Sequence, residues 1–158
     1  MHSDSLNKAL FGPLAQQAPA GFLFSGDLIV EIDFQKSGGL VPAIIQDERN
    51  GEILMLGFMN AESLAETQRT GEVVFFSRSR NKLWKKGESS GHVLRVREMR
   101  VDCDADALLV RVEAVGPGVC HEGYRSCFFR SIEPGGNARI IAERTFVPET
   151  VYGKEKSR

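Results

Sequence analysis

Most of what this chain lacks narrows its function. Opposite charges nearly cancel: 20 Lys and Arg against 21 Asp and Glu leave a net charge of -1, so no global field favours nucleic acid or a membrane surface. There is no long apolar run. Met1 to Ala20 is interrupted by Gly12, Pro13 and Pro19, and no basic segment precedes a continuous apolar stretch, which excludes a signal peptide or a membrane span there. Cysteine is limited to three residues. That odd number, with no secretory signal, points to reduced thiols in a cytoplasmic protein rather than a disulfide framework. No Cys-x-x-Cys pair occurs, so the spacing of a zinc ribbon is absent. The combination of His-x-Glu with Pro-Cys-x-x-Cys is missing too, which counts against a nucleoside deaminase. Internal repeats and low-complexity tracts are likewise absent.

What remains is an ordinary composition, 42% hydrophobic and 26% charged over 158 residues, enough for one domain with a real core. Within it one stretch stands out. From Asp102 to Cys127 the chain reads Asp102-Cys103-Asp104-Ala105-Asp106, then a mostly apolar run, then Cys120-His121-Glu122-Gly123-Tyr124-Arg125-Ser126-Cys127. All three cysteines lie here. If Val101 to Asp106 is extended, Asp102, Asp104 and Asp106 line one face and Cys103 the other. Carboxylate oxygens suit a hard cation such as magnesium, and thiolates suit zinc. Three cysteines beside His121 match the ligand types of a zinc site with room for water. Taken singly, a cysteine is more often a small buried apolar residue and alternating aspartates a solvated face. Together, in so short a span, they favour metal chemistry.

The elements around this stretch read as mostly strand. Phe22 to Phe34 has strand-like apolar density, broken by Gly38-Gly39. Val41 to Gln46 and Glu52 to Phe58 form a core hairpin across Asn50-Gly51, both of which tolerate positive φ. Asn60 is a good N-cap for a helix over Ala61 to Arg69, with Leu64 and Ala65 as a small apolar face and Gly71 as its stop. Val73 to Ser77, Val93 to Val101 and Ala107 to Val115 follow as strands, with Phe128 to Ile132 as a last core strand. A short helix around Ser5 to Leu10 is compatible with the sequence, and Val151 to Arg158 reads as a frayed tail. The expected fold is predominantly β (α+β): small twisted antiparallel sheets or a barrel-like core with one or two helices. Residues 1–25 are expected to be an N-terminal extension, 26–133 the functional domain and 134–158 a C-terminal tail.

A second informative stretch runs from Ser77 to His92. Arg78, Arg80, Lys82, Lys85 and Lys86 arrive with no acidic residue before Glu88. Serines and glycines between them add hydroxyl and backbone donors, so the loop can hold phosphate. Trp84 offers a flat face on which a purine could stack. On charge alone a solvated basic loop with one core tryptophan explains it better.

The motifs together decide otherwise. Asp102-Cys103-Asp104-Ala105-Asp106, Gly116-Pro117-Gly118-Val119-Cys120-His121 and Ser126-Cys127-Phe128 closely resemble phosphoribosyl-AMP cyclohydrolase of histidine biosynthesis. Ser77-Arg78-Ser79-Arg80-x-x-Leu83-Trp84-x-Lys86-Gly87-x-x-Ser90-Gly91 fills every fixed position of that family's second signature. Leu54 to Asn60 with Glu62-Ser63-Leu64 fits as well, although Gly57-Phe58 stands where the family more often has Ala-Tyr. Glu122 similarly replaces a frequent Thr. The resemblance covers about Phe34 to Ile132.

It implies hydrolysis of the N1–C6 bond of N1-(5-phosphoribosyl)-AMP by a zinc-activated water. Zinc would be held by Cys103, Cys120 and Cys127, and magnesium by Asp102, Asp104 and Asp106. His121 would act as general base or proton shuttle, or orient groups from beside the zinc. Ser77, Arg78, Ser79, Arg80, Trp84, Lys86, Ser90 and His92 would contact substrate. The family also implies a two-fold homodimer in which Cys103 of one subunit joins Cys120 and Cys127 of the other. The alternative is a protein with a structural zinc and a basic RNA- or phosphate-binding loop, which should have four permanent ligands and lose its fold on chelation.

Overall fold

The structure, a computed structural model, describes residues 30–153. Its centre is a four-stranded sheet in the order β2-β1-β6-β5. β1 (Val41–Asp47) alternates fully buried and partly buried positions along its whole length, the period-2 pattern of a strand with one face on a core. Gly51, at φ 75°, lets the chain reverse, and Gly51 N donates to Asp47 O at 3.0 Å. β2 (Ile53–Met59) returns antiparallel, pairing Ile44 with Leu56 and slipping register between Ile45 and Gln46.

α1 (Ala61–Thr70) begins at Asn60, whose side chain accepts from Ser63 N while Ser63 Oγ accepts from Asn60 N. This reciprocal cap is of the kind worth about 0.5–2 kcal/mol. Gly71, in the left-handed region, ends the helix and donates to Thr67 O. The buried face is Ser63, Leu64 and Thr67 rather than the Leu64–Ala65 pair expected, because Ala65 is exposed. Two hydroxyls anchor the helix instead. Thr67 Oγ1 donates to Ser63 O at 2.8 Å and accepts from Val74 N at 2.9 Å, joining α1 to the next strand.

β3 (Val74–Ser77) and β4 (Lys82–Lys85) form a separate two-stranded sheet, so the basic stretch is a hairpin and not one continuous loop. β5 (Leu94–Val101) and β6 (Leu108–Ala114) pair antiparallel at the far side of the main sheet. The expectation of wholly antiparallel sheets fails at one place: β1 and β6 run parallel, Ala43 beside Leu108 and Ile45 beside Val110. The sheet does not close into a barrel. Val41, Ala43, Ile45, Leu54, Met59, Phe75, Leu94, Val110 and Val112 form the core.

Other expectations need correction. Residues 30–34 are not a strand, although Ile32 and Phe34 pack on the core. β7 (Arg130–Ile132) pairs only with β8 (Ala138–Ile140), and Phe128 and Ile132 are exposed, so this is a surface ribbon and not a core strand. Val151 and Tyr152 close a short helix, α2 (Pro148–Tyr152), where fraying was expected. The Ser5 to Leu10 helix, the 1–25 extension, the start of the Phe22 to Phe34 strand and residues 154–158 lie outside the described residues.

Candidate metal and phosphate site

The end of β5 and the start of β6 are joined by a turn, not by extended chain. Asp102 to Asp106 make that turn, with Ala105 at φ 60° near its tip, so alternation across a strand is not what gathers the carboxylates. Asp102 Oδ1 accepts from Asp106 N at 3.0 Å and Ala107 N at 3.1 Å, which curls the segment onto itself. The outcome is nevertheless convergence: one oxygen from each of Asp102, Asp104 and Asp106 lies within 4.8 Å of the others. Three oxygens at that spacing suit a hard divalent cation. A cationic group already sits there, for Lys36 Nζ pairs with Asp104 and lies 2.8 Å from Asp106 Oδ2. The ammonium holds the Asp104 carboxyl below its usual range, chiefly by hydrogen bonding.

Cys103 is exposed on this turn, with its sulfur 4.0 Å from Asp104 Oδ1. The other two cysteines are elsewhere. Among the described residues only the three aspartates bring three such donors together, so the three sulfurs do not converge within one chain. Cys120 and Cys127 do form a pair. The neighbouring Cys127 thiol draws the Cys120 thiol down to about 6, helped by a backbone hydrogen bond and by His121. Cys127 is correspondingly raised, since two adjacent sulfurs resist sharing two negative charges. One ready thiolate beside a second thiol is a donor set that fits a soft or borderline metal such as zinc.

The loop holding this pair is pinned from several sides. Cys120 N donates to Tyr124 O, Gly123 N to Cys120 O, and Cys127 N to Leu54 O on β2. Ser126 Oγ donates to Ile53 O at 2.7 Å. Arg125 pairs with Asp47, which is fully buried at the end of β1, and reaches Glu52 at 3.2 Å. From the other side Thr145 N donates to Gly123 O at 2.7 Å. A side chain at Gly123 would collide with Phe146 O and press on Pro148, which explains why glycine stands there. None of these anchors is visible as a local pattern.

The basic hairpin divides its cations between two places. Arg78, Arg80 and Lys82 are exposed and make no ion pair among the described residues. Arg78 lies over the Phe58 ring at 3.9 Å and lines an open cleft of about 510 Å³ with Gly38, Gly39, Leu40, Asn60, Phe76 and Asn81. No acidic residue lines it, so the cleft suits an anion. Lys85 instead pairs with Glu72 at 2.5 Å. Lys86 turns inward: it is buried and its Nζ donates to Val119 O at 2.7 Å. Burial lowers its pKa, while Cys127 and Cys120 oppose that shift. It therefore stands beside the thiol pair rather than at the exposed end of the hairpin.

Ser77 ends β3, and Ser79 with Arg80 occupies the exposed turn. Trp84 is half-buried against Phe75, ring centroids 5.6 Å apart, so part of its face is already used in the core. Ser90 Oγ accepts from His92 N at 3.2 Å. His92 is buried edge-on to Phe146 at 4.9 Å, and its Nδ1 has no hydrogen-bond partner. His121 is exposed next to Cys120. Two residues that sequence reasoning passed over are central here, Lys36 and Asp47. The only local signal for Lys36 was a lone cation just ahead of the Gly38-Gly39 break. Asp47 fell in the connection after a strand read as ending at Gln46, whereas it is the last residue of β1.

Clustered thiols, converging carboxylates and an unpaired cationic cleft are the equipment of metal-assisted hydrolases that act on phosphorylated substrates. Comparison with known proteins specifies which. The family model described as phosphoribosyl-AMP cyclohydrolase matches residues 55–129. A phosphoribosyl-AMP cyclohydrolase of Solibacter usitatus is 56% identical over 124 residues, covering 78% of this chain and 98% of the relative. Those of Desulforapulum autotrophicum (51% over 124 residues, 78% and 99%) and Desulfatibacillum aliphaticivorans (50% over 126 residues, 80% and 100%) are similar to it as well. The chain belongs to the phosphoribosyl-AMP cyclohydrolase family and is a hydrolase of that class. No helix among the described residues is long and apolar enough to cross a membrane.

Proposed function

We propose that this enzyme opens the purine ring of N1-(5-phosphoribosyl)-AMP at N1–C6, the third step of histidine biosynthesis, using zinc at the cysteines and magnesium at the aspartates. Substitution at N1 leaves the ring electron-poor, so C6 accepts a nucleophile. The oxygen of water adds to C6, the N1–C6 bond breaks, and N1 takes up a proton. Zinc, when bound, supplies the Lewis acidity that makes water a nucleophile at neutral pH. Around it the chain's own groups have separate tasks. His121, exposed beside Cys120, would accept and return a proton. Lys86, buried against Val119 O, supports negative charge on the thiol pair. Arg78 and Arg80 meet a substrate phosphate, with Ser77, Ser79 and Ser90 as nearby donors and Trp84 and His92 as flanking contacts. The aspartates hold magnesium for the second phosphate.

The observation that carries this reading is the separation of the sulfurs: Cys120 and Cys127 are paired, while Cys103 stands exposed on the aspartate turn. A two-fold homodimer in which Cys103 of one subunit completes the pair of the other accounts for it, and each dimer then has two equivalent shared sites. The exposed Phe128, Ile132, Ile140 and Ile141, an apolar surface around the β7–β8 ribbon, support burial against a partner. Such thiolates need a reducing compartment, consistent with the cytoplasm. A structural-zinc, RNA-binding protein is the competing reading, which the family membership disfavours. The deciding experiment is metal content together with ring opening followed by ultraviolet absorbance, with and without chelator. Zinc near one per chain and chelator-sensitive ring opening support the proposal; stoichiometric zinc without ring opening supports the competitor.

A further inference from the structure

Lys36 is not an ordinary surface lysine that happens to meet two carboxylates. Its backbone N donates to Asp33 Oδ1 at 3.1 Å, and Gln35 N donates to the same oxygen, so a capped turn fixes where the side chain starts. Asp33 N in turn donates to Ala105 O at 2.8 Å, at the tip of the aspartate turn. Residues 33–36 and 102–107 are thus one bonded unit, and that unit delivers an ammonium into the cluster that would hold a divalent cation. Nζ engages Asp104 and Asp106. The Asp102 side chain is not paired with it and serves the turn's backbone instead. Three carboxylates carry more charge than one ammonium neutralises, which leaves the cluster attractive to a dication.

We infer that Lys36 is a tethered counter-cation that exchanges with the divalent ion: it occupies the aspartate cluster until the ion enters, and entry expels its ammonium. The inference rests on the reading that the aspartates hold a divalent cation. An ammonium and a dication cannot share the same oxygens without strong repulsion, so one must leave. The ion-free turn keeps its shape because Lys36 screens the mutual repulsion of the aspartates, at the cost of weaker apparent affinity for the ion. The expelled side chain also has somewhere to act. Lys36 lies two residues before Gly38 and Gly39, which line the Arg78 cleft, so ion binding would place a second cation near the anion-binding surface.

The test uses the full-length, zinc-loaded protein and Mn²⁺ as a spectroscopic probe, titrated by electron paramagnetic resonance at fixed ionic strength. Lys36→Met should bind Mn²⁺ about three- to tenfold more tightly than wild type, the size expected for removing a competing exposed ion pair, and Lys36→Arg should stay near wild type. A second readout needs no substitution: acetylation of Lys36 in wild type, mapped by mass spectrometry, should accelerate when Mg²⁺ saturates the site. Unchanged or weaker Mn²⁺ binding in Lys36→Met, or protection of Lys36 by Mg²⁺, overturns the exchange while leaving the aspartate site standing. Mn²⁺ binding that survives Asp104→Asn unaltered, or is absent from wild type and Lys36→Met alike, overturns the aspartate reading and the exchange with it.

Discussion

The thiol loop and the aspartate turn are built on opposite plans. Residues 120–127 are tied to the core through a fully buried carboxylate, Asp47, and to β2 through one backbone bond and the Ser126 hydroxyl. The aspartate turn is exposed and held mainly by its own backbone and by Lys36. Zinc at the proposed site would take Cys120 and Cys127 from the rigid loop, as its fixed geometry favours, and only Cys103 from the exposed turn. A hard ion that keeps several waters and meets phosphate tolerates a looser seat. The contrast predicts that the proposed zinc and magnesium sites respond to different substitutions.

The largest expected effect tests whether the two regions meet across subunits. Cys103→Ala and Cys120→Ala should each be inactive alone. After subunit exchange, about half the dimers are mixed and each has one intact site, so roughly a quarter of wild-type activity should return. A mixture that stays dead, with exchange confirmed by mass, places all three thiols of a site in one chain.

Next comes the anchor of the thiol loop. Asp47→Asn strands the Arg125 guanidinium with only Glu52, and because Arg125 is partly solvated the loss should be about 1–3 kcal/mol. Zinc should dissociate faster in this variant, with the magnesium requirement unchanged. Equal zinc loss rates, measured with a chromogenic chelator, would show that the ion pair is not what stiffens the loop.

The mirror-image substitution is Asp104→Asn. The magnesium concentration giving half-maximal activity should rise several-fold while zinc content stays near wild type. Zinc lost with magnesium dependence intact would erase the division between the regions.

The smallest effect lies on the outer face of the main sheet. Glu98 is held down to about 2 by Arg100 and Arg111. A carboxyl depressed on folding stabilises above its unfolded value near 4.5 and loses that contribution as pH falls through about 2. Glu98→Gln should therefore flatten the decline of Tm across that acid range, slightly, because the group is exposed and screened. An unaltered slope would show the pair contributes nothing.

These comparisons also show which features the sequence disclosed. α1 and the β1–β2 hairpin were legible because Asn60, Gly71 and Asn50-Gly51 act on their immediate neighbours. The clustering of Asp102, Asp104 and Asp106 was argued on the condition that the segment is extended, with a turn left open as the alternative, and it is a turn that does the gathering. Lys86 was grouped with the substrate-contacting cations of the loop, because a charge run does not reveal which member folds inward. Asp47 with Arg125, Lys36 with Asp104 and the parallel β1–β6 pairing join residues far apart in the chain, and such contacts leave no local periodicity.

That parallel pairing has a consequence for the order in which the protein can be made. On the edge not taken by β2, Ala43 to Asp47 pair with Leu108 to Val112, so the β1–β2 hairpin leaves the ribosome with an open edge and waits for β6. Such a long-separated pairing slows folding relative to the local hairpins. Until it forms, Asp47 has no settled position from which to hold the thiol loop, and the aspartate turn, which directly precedes β6, is not yet fixed. A nascent chain shorter than β6 therefore has neither the aspartate turn nor the thiol loop in place.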